Sequence, residues 1–598
     1  MAFNFFSLLS FGGGLAFFLY GMHLMSISLE RMTGGRMEKL LKKATSNHLV
    51  SLLLGIVITT VVQSSSATTV MLIGLVNSGI LAFSEAIFVC YGANIGTTVT
   101  AWLFSLIGIS DQSPFLRLLK PINLAPTAAL IGIFLLLSKR GAKRSTVGEA
   151  AIGFSALMLG MSQMTSAVAP LSELPQFVSL LAGLKNPIFA FVIAMLLTAV
   201  IQSSSAATGI LQALSIAGGF RLGMAAPMIM GINVGTCITA LLSSIGASIA
   251  SKRLATSHLL MNLICSLFCL PLLALGSTAS LRPLMESEVT PATVALLHTA
   301  FNLILTLLLL PFTPQLIALT EKIVHEKTNN VANAKNRYAP DERLLASPSV
   351  AVAECDARAR QMARLAHQTL RDSLSCFENY DNATAKKILK NEERLDCMED
   401  QLGTYLLKLS SKALSDADSH AVSKMLHGIG NHERLGDHAT NLVEIANEWW
   451  QKELRFSNAA SEEWQVLKAA ILEILSLTET AFLTDDFSYA KQVEPLEEVI
   501  DHLTEQIKSR HIRRLQKQEC KVEVGFILND LLTNCERISD HCSNIAATVI
   551  ELGEHTLDTH RYLDEIRRNN PDFQSFYQGF RQKYNLHPSD ASPFSAKQ

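Results

Sequence analysis

Residues 60–69 read TVVQSSSATT and residues 199–208 read AVIQSSSAAT, two copies of one polar string inside apolar surroundings. Each sits at the middle of a run, about 48 to 79 and 187 to 217, that is otherwise long and apolar enough to span a bilayer. The copies are 139 residues apart, and the same offset recurs around them. Gly14, Gly21, Met22 and Met25 return as Gly153, Gly160, Met161 and Met164. Asn94, Gly96, Thr97 and Thr100 return as Asn233, Gly235, Thr236 and Thr239, and Asn123 returns as Asn262. A constant offset over some 110 residues means a duplication with no net insertion between the matched positions.

Uninterrupted apolar stretches lie at about residues 5 to 26, 81 to 108, 116 to 138, 147 to 169, 219 to 250, 256 to 277 and 291 to 320. The first lacks the basic leader and small-residue cleavage site of a signal peptide and reads as a retained membrane helix. Each copy therefore holds a first span, an interrupted segment, a span carrying a GxNxGT string and a closing span. If the interrupted segment is a re-entrant hairpin, a copy crosses three times, and an odd number inverts the second copy relative to the first. If it crosses straight through, the count is four and the copies are parallel. Basic clusters arbitrate. Arg31 to Lys43, Lys139 to Arg144, and Lys252 with Arg253 all fall on the cytoplasmic side only with hairpins. The expected fold is all-α, a polytopic membrane domain of two inverted repeats at about residues 8–138 and 147–277, within a transmembrane domain spanning 1–325.

Charge divides the chain. Up to Lys322 there are 17 Lys and Arg and 9 Asp and Glu, leaving 33 and 43 beyond it, so a net charge of −2 averages a basic membrane part and an acidic soluble one. Ten cysteines occur without CxxC pairs, the usage of a reduced, cytosolic compartment.

From Ala44 to Leu116 there is no Lys or Arg, and between Asn186 and Phe220 no charge at all. Gln, Ser, Thr and Asn at membrane depth offer neutral oxygens to a hard cation and hydroxyl or amide donors to an oxyanion. Serines at the tip of a broken helix add free backbone N–H groups and the positive end of a half-helix dipole. Burying an anion with no protein cation costs about 20 kcal/mol per unpaired charge before relaxation, so a second cation must travel with it. The glycines beside Asn94 and Asn233 read either as close-packing positions or as unwound helix. His258 with Asn262, and His298 with Asn302, share a spacing that places both side chains on one helix face, either lining an ion path or bonding between helices.

The paired Gln-Ser-Ser-Ser signatures, with GANIGTT at 92 and GINVGTC at 231, resemble the type II sodium/phosphate cotransporter family in its bacterial form, over roughly residues 10 to 320. The resemblance implies a Na+-dependent carrier of inorganic phosphate, with Na+ as the coupling ion. It places substrate and sodium at Gln63, Ser64, Ser65, Ser66, Gln202, Ser203, Ser204 and Ser205, and further at Thr68, Asn94, Thr97, Thr208, Asn233 and Thr236.

After a linker at 326–349 the pattern becomes long amphipathic helices without strand alternation, over 350–565, followed by a loosely ordered polar tail at 566–598. This half repeats too. Asn431, Glu433, Arg434, Asp437, His438 and Asn441 return as Asn534, Glu536, Arg537, Asp540, His541 and Asn544, 103 residues later. Upstream, Glu392 and Asp396 match Glu497 and Asp501, so two tandem three-helix bundles fit the spacing. The repeated string resembles the PhoU family of phosphate-signalling proteins. That resemblance implies acidic metal clusters, divalent or iron-type, with Glu433, Asp437, Glu536 and Asp540 as ligands.

The combined reading is a sodium-coupled phosphate carrier of the plasma (inner) membrane with a cytoplasmic regulatory domain, working by alternating access. It is not an enzyme, since no nucleotide-binding glycine loop, catalytic triad or zinc signature appears. Its partners are phosphate, Na+, the bilayer, phosphate-signalling proteins and a second copy of itself, with no nucleic acid. Rival readings are a phosphate exporter, a carrier of another oxyanion such as sulfate, and a membrane-tethered signalling scaffold.

Overall fold

The computed structural model describes residues 5–33, 47–108, 120–138, 142–173, 186–275, 282–325, 338–554 and 571–586. The expected basic positions Arg36 to Lys43, Lys139 and Arg140 lie outside them. Among the described residues the elements are helices, with one isolated bridge between Arg221 and Glu288 and no strand. The chain divides into two compact units. One gathers Met1–Ala332, Asp341–Ala351 and Lys412–Asp416, the other Asn333–Pro340, Val352–Ser411 and Ala417–Gln598.

In the first unit, copy one comprises α1 (Phe5–Thr33), α2 (His48–Val62), α3 (Ser65–Asn77), α4 (Phe83–Ser105) and α5 (Pro121–Leu137). Copy two comprises α6 (Ala142–Val168), α7 (Pro187–Ile201), α8 (Ser204–Ile216), α9 (Leu222–Ser243) and α10 (Ile249–Leu275). Beyond the duplication, α11 (Pro291–Leu309) continues through a 3-10 turn into α12 (Thr313–Ile323). Among the described residues six segments are long and apolar enough to cross a membrane, and α2, α3, α5 and α7 are shorter apolar helices.

The interrupted segments reverse direction. Gln63 and Gln202 end α2 and α7 in the left-handed region, at φ 54° and 58°, and Ser64 and Ser203 follow in extended conformation. Two consecutive non-helical residues turn the chain back. Thr59 Oγ1 donates to Thr68 Oγ1 at 3.2 Å, a contact that a continuous helix would hold about 13 Å apart. The packing agrees. The His48 ring stacks on Phe88 at 4.0 Å, a Cβ on Gly92 would overlap the Leu52 carbonyl oxygen, and one on Gly96 would lie 2.7 Å from Ile56 O. Contacts advance together along both helices, so α2 and α4 run parallel and pack directly on each other, and α3 is the reversed helix that joins them in sequence. In copy two Gly231 meets Phe191 and Gly235 meets Met195 and Thr198, the same arrangement of α7 and α9.

The first helices of the two copies run antiparallel. Gly14 faces Gly160, and Gly21 faces Gly153, with a Cβ on Gly14 only 2.9 Å from the Gly160 carbonyl oxygen. Without side chains there the backbones close in, and Phe18, Met25, Leu157, Met158, Met161 and Met164 fill the space around the crossing.

Part of the sequence read as linker is a built element of this unit. Asp341 caps a 3-10 turn over Glu342–Ala346, Leu344 is fully buried against Gly74, and Arg343 donates to the carbonyls of Ser243 at 2.5 Å and Ile245 at 3.0 Å. Asn77, at the end of α3, bonds both Asp341 and the Ser248 N–H.

The second unit holds α13 (Pro348–Ser375, from Val352 onward), α14 (Asn382–Ser410) and α15 (Asp416–Gln451), then α16 (Asn458–Thr484), α17 (Phe487–Gln516) and α18 (Val522–Glu554). Asn391 bonds Thr369 at 3.1 Å, Gly436 accommodates Leu395, and the His367 and His432 rings meet at 5.5 Å, closing the first three-helix bundle. Helices α16, α17 and α18 pack mutually as the second. The expected loosely ordered tail is corrected over its described part. Pro571–Lys583 form α19 against α17, with Phe573, Phe580 and Tyr584 buried. The spacing of Phe573, Tyr577, Phe580 and Tyr584 puts an aromatic stripe on one face, which supplies the apolar area that the polar composition hides.

Candidate functional site

Each hairpin tip is built the same way. Ser64 Oγ accepts from the Ala67 N–H at 3.1 Å, and Ser203 Oγ from the Ala206 N–H at 3.2 Å. Those serines cap α3 and α8 and leave the N–H groups of Ser65, Ser66, Ser204 and Ser205 without intrahelical acceptors. The first-turn hydroxyls and the positive helix end thus coincide, an arrangement suited to an oxyanion. Ser65, Ser204 and Ser205 are buried, while Ser64, Ser66 and Ser203 are half-buried.

The GxNxGT helices, which carry the remaining candidate residues, pack against the hairpins. Within a copy, α4 lies along α2 and α9 along α7. Across copies, α3 packs on α9 and α8 on α4, so each serine helix touches the Asn-bearing helix of the other copy. Asn94, Thr97, Asn233 and Thr236 are all buried. Thr97 Oγ1 donates to Ala93 O at 2.9 Å and Thr236 Oγ1 to Ile232 O at 2.8 Å, leaving oxygen lone pairs for a cation.

Thr68 and Thr208 do not occupy matching positions of the two copies. The duplication aligns Thr68 with Ala207, and Thr69 with Thr208. Thr69 Oγ1 donates to Ser65 O at 2.8 Å, whereas Thr208 Oγ1 is buried with no bond. Thr69 is thus a missed counterpart, and the constant offset was the signal that could have found it. The tips also differ in exposure. Gln63 Oε1 is buried without a partner, while Gln202 is exposed.

Sequence reasoning also left His258 between two readings. Its Nε2 lies 3.2 Å from Asn94 Oδ1, and because that oxygen only accepts, Nε2 carries the proton.

In the second unit the repeated string interlocks its two copies. His438 Nδ1 donates to Asn534 Oδ1 at 2.9 Å, and His541 Nδ1 to Asn431 Oδ1 at 3.1 Å, while the two imidazoles lie 5.4 Å apart. Burial holds both histidines below their ordinary pKa, His541 at about 4, so both remain neutral at physiological pH. Among the described residues no three His, Cys, Asp or Glu side chains converge closely enough to hold a metal ion. Arg434 lies 3.6 Å from Glu433 and 3.5 Å from Asp437, and Lys508 lies 3.5 Å from Glu536. Burial and the adjoining Asp437 push the Glu433 carboxyl up to about 7. Burial and Glu536 likewise raise Asp540.

The family profile described as Na+/Pi-cotransporter matches residues 17–166 and 174–305, and the PhoU domain profile matches 359–446 and 466–549. The chain is 23% identical over 551 residues to the Escherichia coli (strain K12) protein named "Putative inorganic phosphate export protein YjbB", covering 91% of this chain and 98% of that one. It is 30% identical over 311 residues to the uncharacterized protein YqeW of Bacillus subtilis (strain 168), covering 51% of this chain and 94% of that one. Over 108 residues it is 34% identical to the human sodium-dependent phosphate transport protein 2B, covering 18% of this chain and 16% of that one. Among solved structures, PhoU from Pseudomonas aeruginosa covers 35% of this chain and 99% of its own, at 18% identity and a TM-score of 0.33.

Proposed function

Because the chain belongs to the Na+/Pi-cotransporter family and carries a PhoU domain beyond its membrane unit, we propose that it carries inorganic phosphate across the plasma (inner) membrane by sodium-coupled alternating access. Phosphate sits between the two serine tips, accepting from the N–H groups and hydroxyls of Ser64, Ser65, Ser66, Ser203, Ser204 and Ser205. Sodium takes the oxygens of Gln63, Thr68, Asn94, Thr97, Gln202, Thr208, Asn233 and Thr236, and supplies the positive charge that the protein lacks there. The observation that carries this reading is the pair of capped half-helix N-termini, each packed against the other copy's Asn-bearing helix. The antiparallel α1 and α6 support an inverted arrangement of the copies, with the site at the pseudo-twofold axis. The PhoU domain, placed in the cytoplasm by the basic clusters, regulates the carrier and does so without catalysis.

Net export through the same site is a second reading, favoured by the phosphate export name of a relative that aligns over nearly its whole length. Uptake of radiolabelled phosphate into proteoliposomes under Na+ and K+ gradients, and release from preloaded vesicles, separates the directions. Sodium-dependent flux that sulfate does not compete supports a phosphate carrier, and no sodium-dependent flux in either direction refutes the coupling. Ser65→Ala and Ser204→Ala should each weaken apparent phosphate affinity by about 1–3 kcal/mol, read as a rise in half-saturating concentration. Unchanged affinity in both variants moves the site elsewhere.

A further inference from the structure

The chain contains a third internal match, outside the 139-residue register. His258, Asn262, Leu263, Ile264 and Ser266 of α10 correspond to His298, Asn302, Leu303, Ile304 and Thr306 of α11, 40 residues later. The local bonds repeat. Asn262 Nδ2 donates to His258 O and Asn302 Nδ2 to His298 O, both at 2.9 Å. Ser266 Oγ donates to Asn262 O at 2.7 Å, and Thr306 Oγ1 to Asn302 O at 2.9 Å.

Their surroundings repeat as well. Helix α10 packs on α3, α9 and α4, and α11 packs on α8, α4 and α9, the same three neighbours exchanged between the copies. Bonds at matching positions confirm the register. Ser251 Oγ donates to Ile73 O at 2.9 Å, and Gln212 Nε2 donates to Pro291 O at 2.9 Å. Ile73 and Gln212 are 139 apart, while Ser251 and Pro291 are 40 apart. Helix α5, which sequence order would place here for copy one, packs on α6 instead, and α11 takes its position.

Under this mapping the counterpart of the His258 and Asn94 contact is His298 with Asn233. The two are not in the same state. His258 Nε2 bonds Asn94 Oδ1, while both ring nitrogens of the buried His298 have no partner and Asn233 Nδ2 is turned to its own helix, at Ile229 O, 2.9 Å away. The hairpin tips share the asymmetry, with Gln63 Oε1 buried and Gln202 exposed.

We propose that His258 and His298 are positioning residues that hold the Asn94 and Asn233 carboxamides in alternation, one in each access state. This rests on the transport reading above. In the described arrangement His258 holds Asn94 Oδ1 and withholds it from an ion. In the opposite arrangement His298 takes Asn233 and His258 lets go. An imidazole buried with no bond is stranded, and the exchange gives each histidine a state in which it is satisfied.

The test uses the full chain in nanodiscs, where both faces meet the reagent. Gln63→Cys and Gln202→Cys, made separately, report tip exposure through the rate of labelling by a hydrophilic maleimide, quantified on the reporter peptide by mass spectrometry. His258→Ala should slow labelling of the Gln202→Cys reporter and speed labelling of the Gln63→Cys reporter roughly fivefold, the population shift that follows loss of one buried hydrogen bond. His298→Ala should do the reverse. The conservative His258→Gln and His298→Gln retain a donor and should restore rates toward the reporters alone. Both alanine variants moving the reporters the same way, or neither moving them, overturns the alternation and leaves a structural contact. Absence of phosphate flux in the otherwise unmodified protein overturns the transport reading instead, and the labelling pattern still decides the histidine pairing.

Discussion

Among single residues, Glu463 carries one of the heaviest structural roles. Its carboxylate receives Arg514 Nη1 at 2.9 Å and Nη2 at 2.7 Å, with both side chains buried, and Arg510 approaches at 3.5 Å. Glu463→Ala should cost about 3–5 kcal/mol by leaving the Arg514 charge uncompensated, whereas replacing both partners by leucine should cost far less, as thermal unfolding will show. His367 sets a pH limit. Burial first, then His432 and Arg371, hold its pKa well below the ordinary value, so below about pH 6.5 the unfolded chain takes a proton that the folded chain refuses. Stability from this site is therefore complete above that pH and falls as pH drops. His367→Leu should flatten the decline in unfolding temperature between pH 7.5 and 5.5. Residues of this kind were the least legible in the sequence. The Asn-x-Glu-Arg string announced itself by repetition, yet spacing could not say that His438 and His541 reach across to Asn534 and Asn431, because a partner about a hundred residues away leaves no local mark.

Elements were legible where composition changes abruptly. A Gln followed by three serines inside an apolar run marks a broken helix, and the breaks fall at Gln63 and Gln202. What the string does not disclose is the left-handed conformation of those glutamines, a shape more usual for Gly or Asn and maintained here by the hairpin that it closes. Helix α19 escaped notice because its four aromatics lie in a short polar segment that hydropathy averages away. The glycines of α1 and α6 were visible as repeats, but their use was not. Gly21→Leu would drive a side chain into the backbone of Gly153 and Leu157. It should destabilise the membrane unit by about 1–3 kcal/mol or more, lowering the unfolding temperature, while the same change at Gly12, which faces open space, should be tolerated.

For the whole molecule, two unlike units share one chain, and each is itself doubled. Charge density along the sequence separated them, because a bilayer excludes charge while a helical bundle in water displays it. The doubling makes the crossing of the first helices complementary to itself. Where α1 crosses α6, Gly14 meets the counterpart of Gly21, and Gly21 meets the counterpart of Gly14. A surface that fits its own duplicate has the symmetry of a homodimer, although here one polypeptide makes both sides.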